Sequence, residues 1–154
     1  MNHLNFQHYR FEHIPGSVLY QSLKLRSDIF VVEQQCIYPD LDNKDCVAGS
    51  EHIVGTLANS DSVGAYARCL PPNVSYPGCS IGRVAVTKEL RGSGVARALM
   101  QYAIGICQQQ WPTSPIEIGA QLYLQDFYAS LGFVAFGQPY DEDGIMHIDM
   151  RHSS

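Results

Sequence analysis

A glycine-rich segment over residues 91–96 has the composition of an anion-binding loop. Apolar residues at helical spacing begin at the end of this segment and continue beyond it: Val95, Leu99, Tyr102 and Ile106. The first amides of a helix have no carbonyl partner within the helix and carry the positive end of its dipole, so they attract phosphate groups. Small residues at positions 94 and 96 let such a group approach the backbone, while Arg91 and Arg97 add positive charge at the rim.

The spacing of this segment does not fit the two best-known phosphate loops. A Walker A loop requires a lysine directly after its second glycine, and here Val95 follows Gly94. A Rossmann fingerprint requires a third glycine where Arg97 stands, and its first glycine follows the strand directly. The segment is therefore either a phosphate site of another kind or an ordinary glycine-rich helix start.

Charge is unevenly distributed along the chain. The 154 residues carry a net charge of −5, but residues 83–97 contain four basic residues and one acidic residue, which leaves −8 for the remainder. An acidic chain of this kind is not expected to bind nucleic acid, which needs a broad basic face. A local excess of +3 suits a small polyanionic ligand beside the loop.

The pattern around the loop predicts one α/β (α+β) domain over residues 1–154, with a central mixed sheet flanked by helices. Apolar spacing predicts a long helix after an N-cap at Ser17, then helices near residues 95–110 and 124–131, the last ending at Gly132 in the left-handed conformation. A turn at residues 59–61 connects two strands as a hairpin. The predicted strands cover residues 6–11, 52–57, 63–70, 80–86, 116–119, 133–136 and 145–151.

Charged residues lie within two of these apolar patterns. Arg26 and Glu33 are seven positions apart on the first helix, which predicts either a partly buried ion pair or the border of a polar cavity. Strand alternation places Arg83 on the same face as Ile81 and Ala85. A buried arginine needs a carboxylate, which either Glu33 or a substrate could supply.

Several other classes of protein are disfavoured. Five cysteines at wide spacing, without a C-x-x-C pair, favour reduced thiols over a disulfide framework or a zinc ribbon. The six histidines form no H-x-x-x-H or H-E-x-x-H pair, so no metal site is expected. The first thirty residues lack the pattern of a signal peptide, and no apolar run is long enough to cross a bilayer. We expect a cytoplasmic protein that does not bind membranes.

Two motifs carry a resemblance to a known family. Arg91-x-x-Gly94-x-Ala96 resembles the R/Q-x-x-G-x-G/A motif of the GNAT superfamily of acyl-CoA-dependent N-acetyltransferases, and residues 127–133 resemble its F-Y-x-x-x-G-F segment. Residues 30–34, 81–84, 119–121 and 140–148 are similar, in order, to segments of the ElaA-type subgroup. The resemblance covers nearly the whole chain. Ala96 stands where many members have glycine, and its small side chain is compatible with the motif.

The resemblance implies acetyl transfer from acetyl-CoA to an amine, without a metal. In that family the strand matching residues 80–86 pairs with the pantetheine arm, and the amides of the loop bind the pyrophosphate. A strand that ends before an anion loop would let one extended ligand lie along both. The predicted cofactor-binding residues are Val84, Ala85, Val86, Arg91, Gly92, Ser93, Gly94, Val95, Ala96 and Arg97.

The same resemblance implies roles for titratable residues. Tyr128 matches the family's general acid, which protonates the leaving thiolate; the alternative is a core tyrosine whose hydroxyl has a backbone partner. The general base remains open among Glu33, Glu142, His147 and water. His147 is predicted on a polar strand face, which is also typical of a solvated strand. Arg83, Glu33 and Glu142 are the predicted substrate-binding residues.

Two classes of function follow. The first is an N-acetyltransferase acting on a small-molecule or peptide amine. The acidic remainder of the chain favours this class, because an amine acceptor is a cation. The second is an acyl-CoA-binding module for sensing or interaction, with little or no turnover. The oligomeric state is not readable from the sequence, and a homodimer is a common arrangement.

Overall fold

A seven-stranded mixed sheet forms the centre of the protein in a computed structural model that describes residues 4–58 and 60–153. Its order is β1-β2-β3-β4-β5-β7-β6, and only β4 and β5 are parallel among the pairs described. The predicted α+β architecture with a mostly antiparallel mixed sheet is thereby confirmed. Asn59, in the predicted hairpin turn, lies outside the described residues. The strands are β1 (Leu4–Arg10), β2 (Glu51–Leu57), β3 (Val63–Leu70), β4 (Cys79–Val86), β5 (Ile116–Gln121), β6 (Val134–Glu142) and β7 (Ile145–His152).

Three α-helices, α1 (Gly16–Arg26), α2 (Val95–Gln110) and α3 (Gln125–Ala129), accompany the sheet. A π-helical segment, Ser27–Glu33, continues α1, and short 3-10 turns cover Lys44–Cys46, Lys88–Leu90 and Leu122–Leu124. One apolar core packs α2 against the sheet, and a smaller one beneath α1 contains Leu25, Ile29, Val54, Tyr66 and Ala85. The sheet is therefore covered on both faces.

Strands β4 and β5 part in the middle of the sheet. They pair only at Cys79 with Ile116 and at Ser80 with Glu117, although β4 continues for six more residues. A gap therefore opens between their carboxyl ends. The antiparallel pairs on either side are more extensive, so the gap separates two well-paired halves.

A β-bulge in β4 corrects the predicted position of Arg83. Tyr66 pairs with Ala85 and Arg68 with Gly82, so two β4 residues lie opposite one residue of β3. Arg83 has a φ of 52°, a left-handed conformation that is uncommon for a residue with a side chain. The extra residue breaks the alternation of side chains. Ile81 therefore packs in the α2 core and Ala85 in the α1 core, and the prediction that both share a face with Arg83 is wrong.

The π-helical segment explains why the predicted ion pair between Arg26 and Glu33 is wrong, whereas the alternative, the border of a polar cavity, holds for Glu33. A π-helical turn contains more residues than an α-helical turn, so it shifts the phase of every later side chain. Arg26 is fully buried while Glu33 is exposed, and the two do not pair. The predicted N-cap is also wrong: Pro15 occupies that position, and its carbonyl accepts from the Leu19 amide at 2.9 Å.

The end of α3 matches its prediction. Gly132 has a φ of 100°, and its amide donates to the Ala129 carbonyl at 3.0 Å. The Phe133 amide donates to the Tyr128 carbonyl at 3.2 Å, which completes a Schellman motif. Glycine is favoured here because it adopts a left-handed backbone without steric cost. This turn fixes the position of Tyr128 near the sheet gap.

Candidate active site

A cavity of about 650 Å³ occupies the gap between β4 and β5. Its walls come from both strands, the π-helical segment, α3 and the turn between β6 and β7. It brings together all the predicted catalytic and substrate-binding residues and half of the predicted cofactor-binding ones. Those that line it are Glu33, Arg83, Val84, Ala85, Val86, Arg91, Ala96, Tyr128, Glu142 and His147.

The glycine-rich loop lies at one end of this cavity and forms an open cradle of amides. Gly92 and Gly94 have φ values of 80° and 84°, and a Cβ built on either meets no atom within 4 Å. Among the described residues, no backbone carbonyl accepts from the amides of residues 92–97. The loop therefore offers free donors and open space, which fits a diphosphate.

The remaining predicted loop residues do not line the cavity. Gly92, Ser93 and Gly94 are exposed at its end, and Val95 is buried in the core. Arg97 is directed to α3, where it donates to the Ser130 hydroxyl at 2.7 Å and lies over the Phe127 ring. Arg97 therefore connects the start of α2 to α3.

Arg91 forms a two-pronged ion pair with Glu33 across the mouth of the cavity. Its two terminal nitrogens lie 2.6 and 3.0 Å from the carboxylate oxygens. The hydrogen bond from Arg91 lowers the pKa of Glu33 below its ordinary value. Glu33 is thus held as a carboxylate already engaged by a cation, which makes it a weak proton acceptor.

Tyr128 is a buried residue whose side chain reaches the cavity. Its ring packs edge-on against Phe127 and Phe133, with centroids 5.1 and 6.1 Å away. Among the described residues, no protein group hydrogen-bonds to its hydroxyl, in contrast to the expected alternative of a backbone partner. Burial raises the pKa of Tyr128 to about 12, so the phenol stays protonated at neutral pH. It is a proton donor without a protein acceptor.

His147 lies across the cavity on β7 and has one ring nitrogen fixed. Its Nδ1 lies 2.7 Å from the Ile145 carbonyl, which can only accept, so this nitrogen carries the proton. Nε2 is then the basic nitrogen, and it lies 3.6 Å from Glu142 Oε2. The Tyr140 ring stacks on His147 at 5.9 Å. Such an imidazole can accept a proton, and the nearby carboxylate would stabilise the resulting cation.

A buried network of arginines and aspartates forms another wall. Arg26 has no exposed surface; its Nε lies 3.0 Å from Asp40 Oδ2 and a terminal nitrogen lies 2.7 Å from Asp45 Oδ1. These aspartates, rather than Glu33, are its partners. Burial is the largest single influence and disfavours the charge on Arg26, but the hydrogen bond to Asp45 and the nearby Tyr66, Asp40 and Asp45 together outweigh it and raise the pKa of Arg26. The network anchors the loop after the π-helical segment to α1.

Arg68 and Arg83 extend this network to the cavity. Arg68 pairs with both oxygens of Asp42 at 2.8 and 3.0 Å, and Arg83 lies 3.2 Å from Asp42 Oδ2. The Nε of Arg83 lies 2.8 Å from Asp40 Oδ1, yet its N–H is not directed at that oxygen and donates no hydrogen bond within the described chain. Glu33 is therefore not the partner of Arg83; Asp40 and Asp42 are.

Acid should destabilise the protein in two steps, because His52 and Asp42 have lowered pKa values when folded. Burial of His52 lowers its pKa from 6.5, so the unfolded chain takes up this proton first and stability falls as pH drops below 6.5. Burial alone would raise the pKa of Asp42, but Arg68 brings it from 3.8 to about 2, so a second loss follows between those values. Urea unfolding across pH measures both steps. Asp42→Asn should reduce the second step without abolishing it, because Asp45 and Glu33 also have lowered pKa values when folded. A stability independent of pH would contradict the prediction.

Tyr76 and Tyr140 close the wall between the network and His147. Both hydroxyls donate to Asp149 Oδ1, at 2.9 and 2.8 Å. A Cβ at Gly119 would lie 2.9 Å from each hydroxyl, so this position on β5 requires glycine. The two tyrosines therefore link β6 and the segment before β4 to β7.

Sequence reasoning missed the loop over residues 36–50 as part of the site. Asp40, Asp42 and Lys44 were not assigned a role, and neither were Arg68 and Tyr76. An arginine in the otherwise apolar β3 was the available signal, because a fully buried strand rarely contains an unpaired charge. Three aspartates within six residues were the complementary signal.

Over the described residues, 4–58 and 60–153, no group of three or more His, Cys, Asp and Glu side chains is arranged to hold a metal. None of the helices in that part of the chain is both long and apolar enough to span a membrane.

Comparison with known proteins agrees with this architecture of a split sheet beside an amide-rich loop. A family model described as an acetyltransferase (GNAT) domain matches residues 30–154. The chain is 40% identical over 147 residues to protein ElaA of Escherichia coli, covering 96% of this chain and 95% of that protein. The chain therefore belongs to the GNAT family.

Solved structures show the same fold. The crystal structure of Escherichia coli ElaA matches with a TM-score of 0.91 and 38% identity, covering 98% of this chain and all of that one. That of an acyl-CoA N-acyltransferase from Pseudomonas aeruginosa matches with a TM-score of 0.92 and 34% identity, at the same coverage. The fold is thus that of acyltransferases which use acyl-CoA.

Proposed function

We propose that the protein is an N-acetyltransferase that moves an acetyl group directly from acetyl-CoA to a primary amine. The observation that carries this proposal is one cavity whose lining includes Tyr128, His147 and the ends of the loop, Arg91 and Ala96, with the free amides of the loop beside it. The acceptor is a small-molecule or peptide amine. Holding the two reactants together in this cavity supplies part of the rate enhancement.

The donor would lie along β4 and the loop. The loop amides offer hydrogen bonds to a diphosphate, and beyond Ser80 one edge of β4 has no partner strand. Val84, Ala85 and Val86 lie on that edge and line the cavity. An extended ligand can pair with such an edge as an added strand does. Arg91 stands at the junction of the two parts.

The chemistry needs a base for the amine and an acid for the leaving thiolate. His147 Nε2 accepts a proton from the amine as its nitrogen forms a bond to the acetyl carbon. The carbon–sulfur bond then breaks, and Tyr128 donates its proton to the sulfur. Glu142 stabilises the imidazolium that His147 becomes. His147 then releases its proton to solvent and Tyr128 takes one up, so that both residues return to their starting protonation states.

His147 is preferred over Glu33 as the base because Glu33 is engaged by Arg91. His147→Gln should lower kcat about a hundredfold, the lower end of the range for a general base, while acetyl-CoA still stabilises the protein. Glu33→Gln should lower kcat by less. A continuous assay of thiol release measures both variants. A larger loss in Glu33→Gln than in His147→Gln would reverse the assignment.

Acetyl-CoA at saturation should raise the Tm of the wild-type protein, because a ligand that binds only the folded state stabilises it by about 2.7 kcal/mol at a hundred times its Kd. Gly94→Val should abolish this rise, since a β-branched residue is strained at a φ of 84° and fills the cradle. Gly105→Val is the matched control, because Gly105 is an exposed α2 residue with nothing near its Cβ position. No shift in the wild-type protein would overturn the donor assignment.

The second candidate is an acyl-CoA-binding module without turnover, since the same loop and strand edge would serve it. It predicts a thermal shift with acetyl-CoA but no thiol release with any amine. Within residues 4–58 and 60–153, the Tyr128 hydroxyl has no hydrogen-bond partner in the protein, which leaves it free to donate to a thiolate and favours the enzyme.

A further inference from the structure

The wall formed by Lys44, Arg68 and Arg83 contains a cation that the protein does not neutralise. Four basic residues line the cavity, and three of them pair with a carboxylate: Arg91 with Glu33, and Arg68 and Arg83 with Asp42. Within the described chain, Lys44 has no carboxylate partner and donates to the neutral Ser75 hydroxyl at 2.9 Å. This part of the cavity is therefore electropositive.

The same wall has buried donors that are not used. Arg68 is 3% exposed, and its Nε is buried without a hydrogen-bond partner in the parts of the chain described. The Nε of Arg83 is likewise a buried atom without a hydrogen-bond partner in those parts of the chain. Arg83 is also held in a left-handed conformation by the bulge, and such strain commonly marks a functional position. Unsatisfied buried donors beside an unneutralised ammonium favour an anionic ligand.

Another part of the cavity lining, separated from Lys44 by Tyr76 and Tyr140, has the reverse charge. Glu142 and Asp143 lie in this part beside His147, and neither pairs with an arginine or lysine among the described residues. The two parts are connected along one wall by contacts already described: Lys44 touches Ser75, the neighbour of Tyr76, and Tyr76 shares Asp149 with Tyr140, which stacks on His147. One cavity thus contains a site for a cation and a site for an anion.

We propose that the acceptor, under the function proposed above, carries a carboxylate as well as its amine, and that Lys44 on the Arg83 wall binds this carboxylate. The amine then lies in the acidic part, where His147 Nε2 takes its proton. Acceptors of this class are amino acids and peptides with a free carboxyl terminus. A simple alkylamine would leave the part beside Lys44 unsatisfied.

The test compares acceptors that differ only in this charge. Each of β-alanine, γ-aminobutyrate and glycylglycine is assayed beside its carboxamide, with acetyl-CoA as donor and n-butylamine as the reference amine that has no carboxylate. We expect kcat/KM to favour the carboxylate by about tenfold or more in at least one pair, as for a charge-assisted contact. A preference for β-alanine or γ-aminobutyrate would indicate an amino acid as the acceptor, and a preference for glycylglycine would indicate the carboxyl terminus of a peptide.

Lys44→Met should reduce that ratio to below threefold, whereas Lys24→Met should retain it, because Lys24 is an exposed lysine of α1 paired with Asp28. Equal rates for carboxylate and carboxamide in every pair, or a ratio that survives Lys44→Met, would overturn the proposal. Turnover of n-butylamine without any carboxylate preference would overturn it while leaving the acetyltransferase function intact. No thiol release with any amine would overturn both.

Discussion

Tyr128→Phe is expected to lower kcat for acetyl transfer by about 10²- to 10⁴-fold, the range for loss of a general acid. Acetyl-CoA should still raise the Tm of this variant by nearly the wild-type amount. The variant should also fold normally, because the Tyr128 hydroxyl makes no hydrogen bond to the described protein and the phenylalanine ring keeps the contacts with Phe127 and Phe133. A loss of rate without a loss of binding or stability is characteristic of a group that acts in the transition state.

The rate profile against pH provides a second measurement. Since burial raises the pKa of Tyr128 to about 12, the wild-type rate should show no loss from this group up to about pH 10. Tyr20→Phe is the matched control, because Tyr20 is an exposed α1 residue outside the cavity. Equal rates for Tyr128→Phe and Tyr20→Phe across this pH range would remove Tyr128 from the mechanism.

Asp45→Ala is expected to destabilise the fold by about 3 kcal/mol, the lower end of the range for breaking a buried ion pair. Arg26 has no exposed surface, and the substitution leaves it Asp40 as its remaining charged partner. Arg68 also loses one of its two carboxylate partners and keeps Asp42. An uncompensated buried charge is far more costly than a lost surface contact. Urea unfolding at neutral pH measures the change.

Asp28→Ala gives the corresponding surface control. Asp28 pairs with Lys24 at 2.7 Å on the exposed face of α1, where solvent screens the two charges and the ion pair contributes little to stability. A loss in Asp45→Ala no greater than that in Asp28→Ala would show that the network does not stabilise the fold. The network also holds Arg83 against Asp40 and Asp42, so the Asp45 variant should weaken acceptor binding as well as stability.

The fold and the glycine-rich loop were predictable because they depend on local patterns. Apolar spacing located α2 and the strands, and Gly94 and Gly132 stand where a left-handed backbone is required. These signals are local in sequence, as is the motif from Arg91 to Ala96. The prediction that Tyr128, His147 and Glu142 act in catalysis and binding awaits the experiments above, although one cavity contains all three.

The wall that contains Arg68 and Arg83 was not predictable in the same way, since two irregularities control it. The π-helical segment separates Arg26 from Glu33, and the bulge at Arg83 reverses the faces of the residues that follow. Neither leaves a periodic signal, because each inserts residues into an otherwise regular pattern. The pairing of Arg26 with Asp45 is also long-range, and single-sequence patterns do not specify which charges meet.

The parting of β4 and β5 also has a consequence for self-association. A strand edge exposed at the periphery of a sheet can recruit another chain and begin aggregation. Here two such edges face each other inside the molecule, covered by the π-helical segment and by the β6–β7 turn, where the Cys36 thiol meets the Asp143 carbonyl at 3.3 Å. The protein therefore keeps two unpaired strand edges inside the molecule, where the backbone of another polypeptide has less access to them than at the periphery of the sheet.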